Sequence, residues 1–251
     1  MDFLHLSLEQ WLLAFAAAFL IGIAKAGFGG VGMLSVALMA ALMRGHELES
    51  TGVVLPMLIF GDLMAVWAFR SHARWPVVLG LIPPALTGVV AGFFCMGYLS
   101  NTGFKPLIGW TVLLLAGLQL FRQWRPRLFQ SVPHSRGFTW AAGISAGFTT
   151  MVANAAGPIM ALYLLAVELP KLALVGTGAW YFLILNLIKV PFSASLGFIT
   201  PGSLLFNVML IPAIAGGIFT GQFLLQKIDQ RPFEQLLLLL TALTALHLVF
   251  F

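Results

Sequence analysis

Residues 8–43 read LEQWLLAFAAAFLIGIAKAGFGGVGMLSVALMAALM, thirty-six residues whose only charges are Glu9 and Lys25. As one straight helix this run would be about 54 Å long at 1.5 Å per residue, against about 30 Å for the hydrocarbon core of a bilayer. It must break or turn, and the place is visible: residues 22–32, GIAKAGFGGVG, hold five glycines in eleven positions. Glycine permits backbone conformations and close approaches that a side chain forbids. A helix interrupted here leaves unpaired N–H groups at the amino end of its second piece, where the positive end of the helix dipole favours an anion. In this half those donors come from Gly29, Gly30, Val31 and Gly32.

The rest of the chain has the same character. Of its 251 residues, 60% are hydrophobic and 8% charged, where a globular protein carries roughly 25% charged residues, so a water-soluble fold is excluded. Apolar segments run over 8–24, 31–43, 53–69, 77–98, 104–121, 137–165, 172–196, 204–225 and 233–251. Strand-like alternation is missing from them, and a lipid-exposed backbone must satisfy its own hydrogen bonds, so the expected class is an all-α polytopic membrane protein. The net charge of +5 reflects topology rather than nucleic-acid binding, because the positives sit just beyond apolar segments and form no basic face with interleaved aromatics. The single cysteine, Cys95, excludes a disulfide framework and a CxxC motif. The first segment lacks the positive flank and cleavage site of a signal peptide and is expected to be retained.

The chain also repeats. Leu81-Ile82-Pro83 recurs as Leu210-Ile211-Pro212, Gly88 as Gly217, Gly92 as Gly221, Phe104 as Phe233 and Leu107 as Leu236, all at an offset of 129 residues. Thr51-Gly52 answers Thr177-Gly178, and Gly22-Ile23 with Gly27-Phe28 answers Gly143-Ile144 with Gly147-Phe148. The drift in offset implies short insertions in the second half. A polar stretch, 122–136, with four arginines, two prolines and a histidine, separates the copies. The expected organisation is a first membrane repeat at 1–125, an Arg-rich linker at 126–136 and a second repeat at 137–251, with Thr149 to Pro158 as the second break.

Charge placement weighs two helix counts. If each first element crosses once, giving eight spans as 4+4, Arg70, Arg74, Arg122, Arg125, Arg127 and Arg136 face Arg44, Lys105, Lys171, Lys227 and Arg231, which gives no bias. If each is a broken pair that enters and returns, Lys25, Lys171, Lys227 and Arg231 join the first six, and only Arg44 and Lys105 remain opposite. The positive-inside rule then favours 5+5, ten helices in inverted orientation, with the linker cytoplasmic and both termini outside. The second pieces, about 13 residues each, reach only about 20 Å and span in part.

Catalytic patterns are missing. His5, His46, His72, His134 and His247 lie at termini or segment ends without metal-ligand spacing, and there is no GxSxG or P-loop. What remains is a pair of glycine-rich breaks in corresponding positions of two halves, the usual sequence pointer to a transporter's binding site. The second break offers Asn154, Ala155, Ala156 and Gly157, with Pro158 suited to the first turn of the next helix. Charge inside apolar segments is the second signal, since burial costs at least about 2.5 kcal/mol. Lys25 and Lys189 supply positive potential, and Asp62 aligns one residue from Lys189, with Asn186 a turn away. Thr149, Thr150, Ser145 and Tyr163 are weaker candidates for an oxyanion, because Ser and Thr also bond to the preceding turn. The competing reading makes the glycines packing sites, Lys25 a snorkelling surface residue and Asp62 the structural partner of a lysine.

The motifs GIAKAGFGGVG at 22–32 and GISAGFTTMVANAAGPIMALYLL at 143–165, within a duplicated bundle, resemble the TauE/SafE family of anion exporters. Lys25 and a broken glycine series stand where many relatives carry a denser glycine run, and Thr149, Thr150 and Asn154 interrupt the second motif. The resemblance implies export of sulfite, sulfonates such as sulfoacetate, or related sulfur-containing anions across the bacterial inner membrane without an ATPase subunit. The expected binding set is Lys25, Gly29, Gly30, Gly32, Asn154, Gly157, Pro158, Asn186 and Lys189, with Asp62 as the proton-coupling residue. No cofactor, metal or catalytic residue is expected. The expected partners are the small anion and the lipid bilayer, with a homodimer left open and no nucleic acid. The rival function is a non-transporting membrane scaffold or accessory subunit, which the short loops disfavour.

Overall fold

In the computed structural model, residues 6–27, 31–98, 101–125, 135–167 and 169–227 are described, with further helical positions between 235 and 250. Among the described residues 88% are helical and none is in a strand, as the all-α polytopic reading expects. The α-helices so described are, in chain order, α1 (Leu8–Lys25), α2 (Gly32–Leu42), α3 (Glu47–Phe69), α4 (Trp75–Tyr98), α5 (Asn101–Trp124), α6 (Arg136–Ala153), α7 (Gly157–Ala166), α8 (Lys171–Ser195) and α9 (Pro201–Lys227), with a short 3-10 turn at Arg70–His72 after α3. Among the described residues, five helices are long and apolar enough to cross a bilayer, starting at Leu8, Glu47, Trp75, Leu172 and Pro201. Large apolar side chains such as Leu12, Trp67, Leu79, Phe94, Leu114 and Phe219 point outward, as lipid rather than water requires.

Both broken elements open with a serine. Ser7 caps α1 by accepting from the Gln10 amide while the Gln10 side chain accepts from the Ser7 amide, and Ser135 accepts from the Phe138 amide at the start of α6. Both then fold back on themselves. Along α1 and α2, the Ser35 hydroxyl donates to the Ala17 carbonyl at 2.8 Å, so α2 returns beside the helix it came from. Tyr163 of α7 likewise stacks on Phe138 of α6, with ring centroids 5.6 Å apart, and its hydroxyl lies 3.2 Å from that of Thr139. α2 and α7 hold 11 and 10 residues, about 16 and 15 Å by helix rise, so each reaches only part-way through a bilayer.

Helices from the two halves of the chain pack in pairs. α1 packs on α9 and α4 packs on α6, and each pairing rests on glycines that the repeat equates. A Cβ at Gly22 would collide with the Ile214 carbonyl of α9, and one at Gly217 with the Phe19 carbonyl of α1. On the other side, a Cβ at Gly147 would strike the Ala85 carbonyl, and one at Gly88 the Ile144 carbonyl. Lipid offers no hydrophobic drive for helix association, so close backbone contact at small residues has to supply it. Glycine packing and glycine breaks, rivals in the sequence, thus coexist at different positions. Between the two interlocked pairs, α3 and α8 meet at the centre through Ala65, Val66, Ala179 and Leu183.

Candidate functional site

The second break is built by one residue. Asn154 ends α6 in a left-handed conformation, φ 48° and ψ 29°, which asparagine tolerates better than most residues. Its amide nitrogen donates to the Thr51 carbonyl of α3 at 2.8 Å, which orients its side-chain oxygen toward Lys189. The Lys189 ammonium donates to that oxygen at 2.6 Å, to the Thr150 hydroxyl at 3.2 Å and to the Asn186 oxygen at 3.3 Å. Lys189 is 1% exposed, and its nitrogen has three oxygen neighbours inside the protein.

The first break is held differently. Lys25, the last residue of α1, pairs with Asp62 of α3 at 2.5 Å, and its ammonium lies 5.0 Å from the centre of the Phe182 ring. Gly61 leaves room for the lysine stem, since a Cβ there would lie 2.9 Å from Lys25 Cγ. The other Asp62 oxygen accepts from Asn186 at 2.7 Å. Asn186 therefore bridges the halves, donating to the carboxylate of one and accepting from the ammonium of the other. This is a continuous polar chain, Lys25–Asp62–Asn186–Lys189–Asn154, running through an apolar bundle, where each member needs its partner.

A cavity of about 200 Å³ opens beside this chain, between the two breaks. Gly32 and Met33 from the start of α2 and Gly157 and Pro158 from the start of α7 face it, together with Lys25, Asp62 and Asn154. Its remaining wall is apolar, including Ile21, Leu58, Leu164 and Phe182. Two helix amino ends and the Lys25–Asp62 ion pair thus meet at an otherwise apolar wall.

Over this same architecture, the family model described as Sulfite exporter TauE/SafE matches residues 14–248. The chain belongs to the TauE/SafE family. No curated protein and no solved structure matches the chain. Membership in this transporter family accords with the membrane-embedded bundle and with the absence of catalytic motifs in the sequence.

In this TauE/SafE chain, Lys25, Gly32, Asp62, Asn154, Gly157 and Pro158 surround the cavity. Asn186 and Lys189 stand one layer behind, acting on the cavity through Asp62 and Asn154. Gly29 and Gly30 lie outside the described residues. Thr149 bonds back to the Ser145 carbonyl, Thr150 serves Lys189, and Tyr163 pairs with Thr139, so these hydroxyls are engaged away from the cavity. Sequence reasoning did not single out Gly61 or Phe182. Gly61 precedes the buried aspartate, which is a usable signal, whereas nothing in the sequence marks Phe182 among 22 phenylalanines.

Proposed function

We propose that the protein is a secondary transporter that exports a small sulfur-containing anion, sulfite or a sulfonate, across the bacterial inner membrane. Membership in the sulfite exporter family supports the substrate class and the direction. The observation that carries the reading is the cavity between the starts of α2 and α7, with the Lys25 ammonium on its wall. In this reading the backbone donors at Gly29, Gly30, Gly32 and Gly157 bind the oxyanion, and Lys25 exchanges its Asp62 partner for substrate. Asn154 and Lys189 hold the second break in shape. Asn186 keeps Asp62 placed while Lys25 is engaged elsewhere, and protonation of Asp62 is the coupling step. The repeats at 1–125 and 137–251, joined by a cytoplasmic linker at 126–136 and oppositely oriented, rock about the α3–α8 contact to alternate access.

Gly157→Leu places a bulky side chain at the start of α7, inside the cavity. Sulfite flux in proteoliposomes is expected to vanish while insertion and the thermal unfolding midpoint hold. In parallel, sulfite, sulfoacetate, taurine, thiosulfate, sulfate and chloride are screened for thermal stabilisation of the unaltered protein, since a ligand of the native state raises its stability. Flux that survives Gly157→Leu removes the site, and stabilisation by none of the anions removes the substrate class.

A further inference from the structure

The cavity has a polar end and an apolar end. Among the described residues, its polar side chains are Lys25, Asp62 and Asn154; the first and last stand at the breaks, and Asp62 is paired with Lys25. Two helices carry the wall away from them. α8 passes Phe182, whose ring lies 5.0 Å from the Lys25 ammonium, and then lines the cavity with Gly178, Val175 and Leu174, the last about 12 Å from Phe182 by helix rise. α7 leaves the break at Gly157 and lines it with Ala161 and Leu164, the latter about 10 Å further on. The two walls meet at Gly178, where an added Cβ would lie 3.6 Å from Leu164 Cδ1. The arm has an end, since α8 begins at Lys171, one turn before Leu174. The repeat pairs Gly178 with Gly52, and the two glycines are used differently. A Cβ at Gly52 would collide with Phe198, so that glycine is a packing contact. Among the described residues, only Leu164 lies within 4 Å of a Cβ at Gly178, at an ordinary van der Waals distance, so no neighbouring helix demands a glycine there. Glycine weakens a helix, and what its bare backbone provides at this position is width in the arm.

We infer that the site takes an organic sulfonate with an unbranched apolar chain, its headgroup between the two helix amino ends and its chain in the arm formed by Ala161, Leu164, Leu174, Val175 and Gly178, in preference to a compact inorganic anion. This inference rests on the transport reading above and specifies the substrate of that site. A compact oxoanion such as sulfite, with the bulk of two or three waters at about 30 Å³ each, fills less than half of the 200 Å³. At the same volume per group, the remainder holds a chain of about four carbons. Water fills that space poorly, because it needs two to four polar partners and the arm offers no polar side chain. An alkyl chain instead covers the apolar wall and gains about fourfold in affinity for each methylene it buries. A hydroxyl or ammonium group on the chain would lose its hydration there without a partner. Alkanesulfonates of different length all carry one negative charge, so a preference among them is set by the arm and not by the protonation of the lysines.

A chain-length series tests this at constant charge. Methanesulfonate, ethanesulfonate, 1-propanesulfonate and 1-butanesulfonate are titrated calorimetrically into the full-length protein in detergent, with isethionate as the hydroxyl-ended counterpart of 1-propanesulfonate and sulfite as the compact anion. Affinity is expected to rise about fourfold per methylene as far as 1-butanesulfonate, and isethionate to bind about tenfold more weakly than 1-propanesulfonate. Gly178→Leu fills the arm and is expected to bring the ratio of 1-butanesulfonate to methanesulfonate affinity from about sixtyfold to within about threefold. A flat series in wild type, isethionate bound as tightly as 1-propanesulfonate, or an unchanged ratio in Gly178→Leu overturns the inference while leaving an anion site in place. Sulfite bound and every sulfonate refused does the same. Binding of none of these anions overturns the transport reading together with it. If Gly178→Leu does not fold or binds neither anion, the wild-type series and the isethionate comparison decide alone.

Discussion

The two breaks solve one geometric problem with opposite placements of charge. In the first half the cation, Lys25, sits on the broken element itself and the anion, Asp62, on the third helix. In the second half the broken element carries a neutral residue, Asn154, and the third helix carries the cation, Lys189. The Lys25 side chain is 14% exposed and borders the cavity, whereas Lys189 is sealed behind Asn154 at 1%. A charge that can reach the cavity can exchange partners, and one enclosed by three protein oxygens cannot do so without leaving them bare. On the proposed transport function, exchange falls to the first break and rigidity to the second.

The largest effect should come from the sealed side. Lys189→Met removes three hydrogen bonds to a charged donor and leaves two amide oxygens buried without partners, at a cost of about 3 kcal/mol. Thermal unfolding in detergent should show it as a lowered midpoint. Lys25→Met should cost less stability, since Asp62 retains Asn186, yet cut anion flux in proteoliposomes about 100-fold. Should Lys25→Met prove the more destabilising of the two, the roles assigned to the breaks are reversed.

A smaller effect separates conformation from hydrogen bonding at the second break. Asn154→Gly and Asn154→Ala both lose the bonds to Lys189 and Thr51, but only alanine also bears the strain of a left-handed backbone. Alanine should therefore be less stable than glycine by about 1 kcal/mol, readable from paired chemical unfolding curves. Equal stabilities would mean the backbone at 154 relaxes out of that conformation.

The smallest effect is at Gly61. Its replacement by alanine puts a methyl group 2.9 Å from the present position of Lys25 Cγ, so the lysine stem must shift by a few tenths of an ångström. Substrate KM should rise about threefold, with stability changed by less than about 1 kcal/mol. A KM unchanged in this variant would show that Lys25 reaches the substrate by another path.

Much of the architecture was legible because membrane insertion writes itself into composition. Apolar length marks the helices, and the over-long run at 8–43 demands a break wherever it is placed. Repeated glycines matched Gly22 to Gly143 and Gly88 to Gly217, and those same residues lock α1 to α9 and α4 to α6. The sequence by itself pointed to two interrupted elements and to Asp62, Asn186 and Lys189 at similar depth, since periodicity, hydropathy and alignment of the halves are properties of the chain. Only the tertiary structure decided which of those groups touch. Asp62 could have met either lysine; the packing of α3 against α1 gives it Lys25 directly and its packing against α8 gives it Lys189 through Asn186, because side-chain pairing depends on helix rotation and crossing, which distant backbone contacts set. For the same reason Phe182 and Gly61 acquire a role only once α8 and α3 close around Lys25.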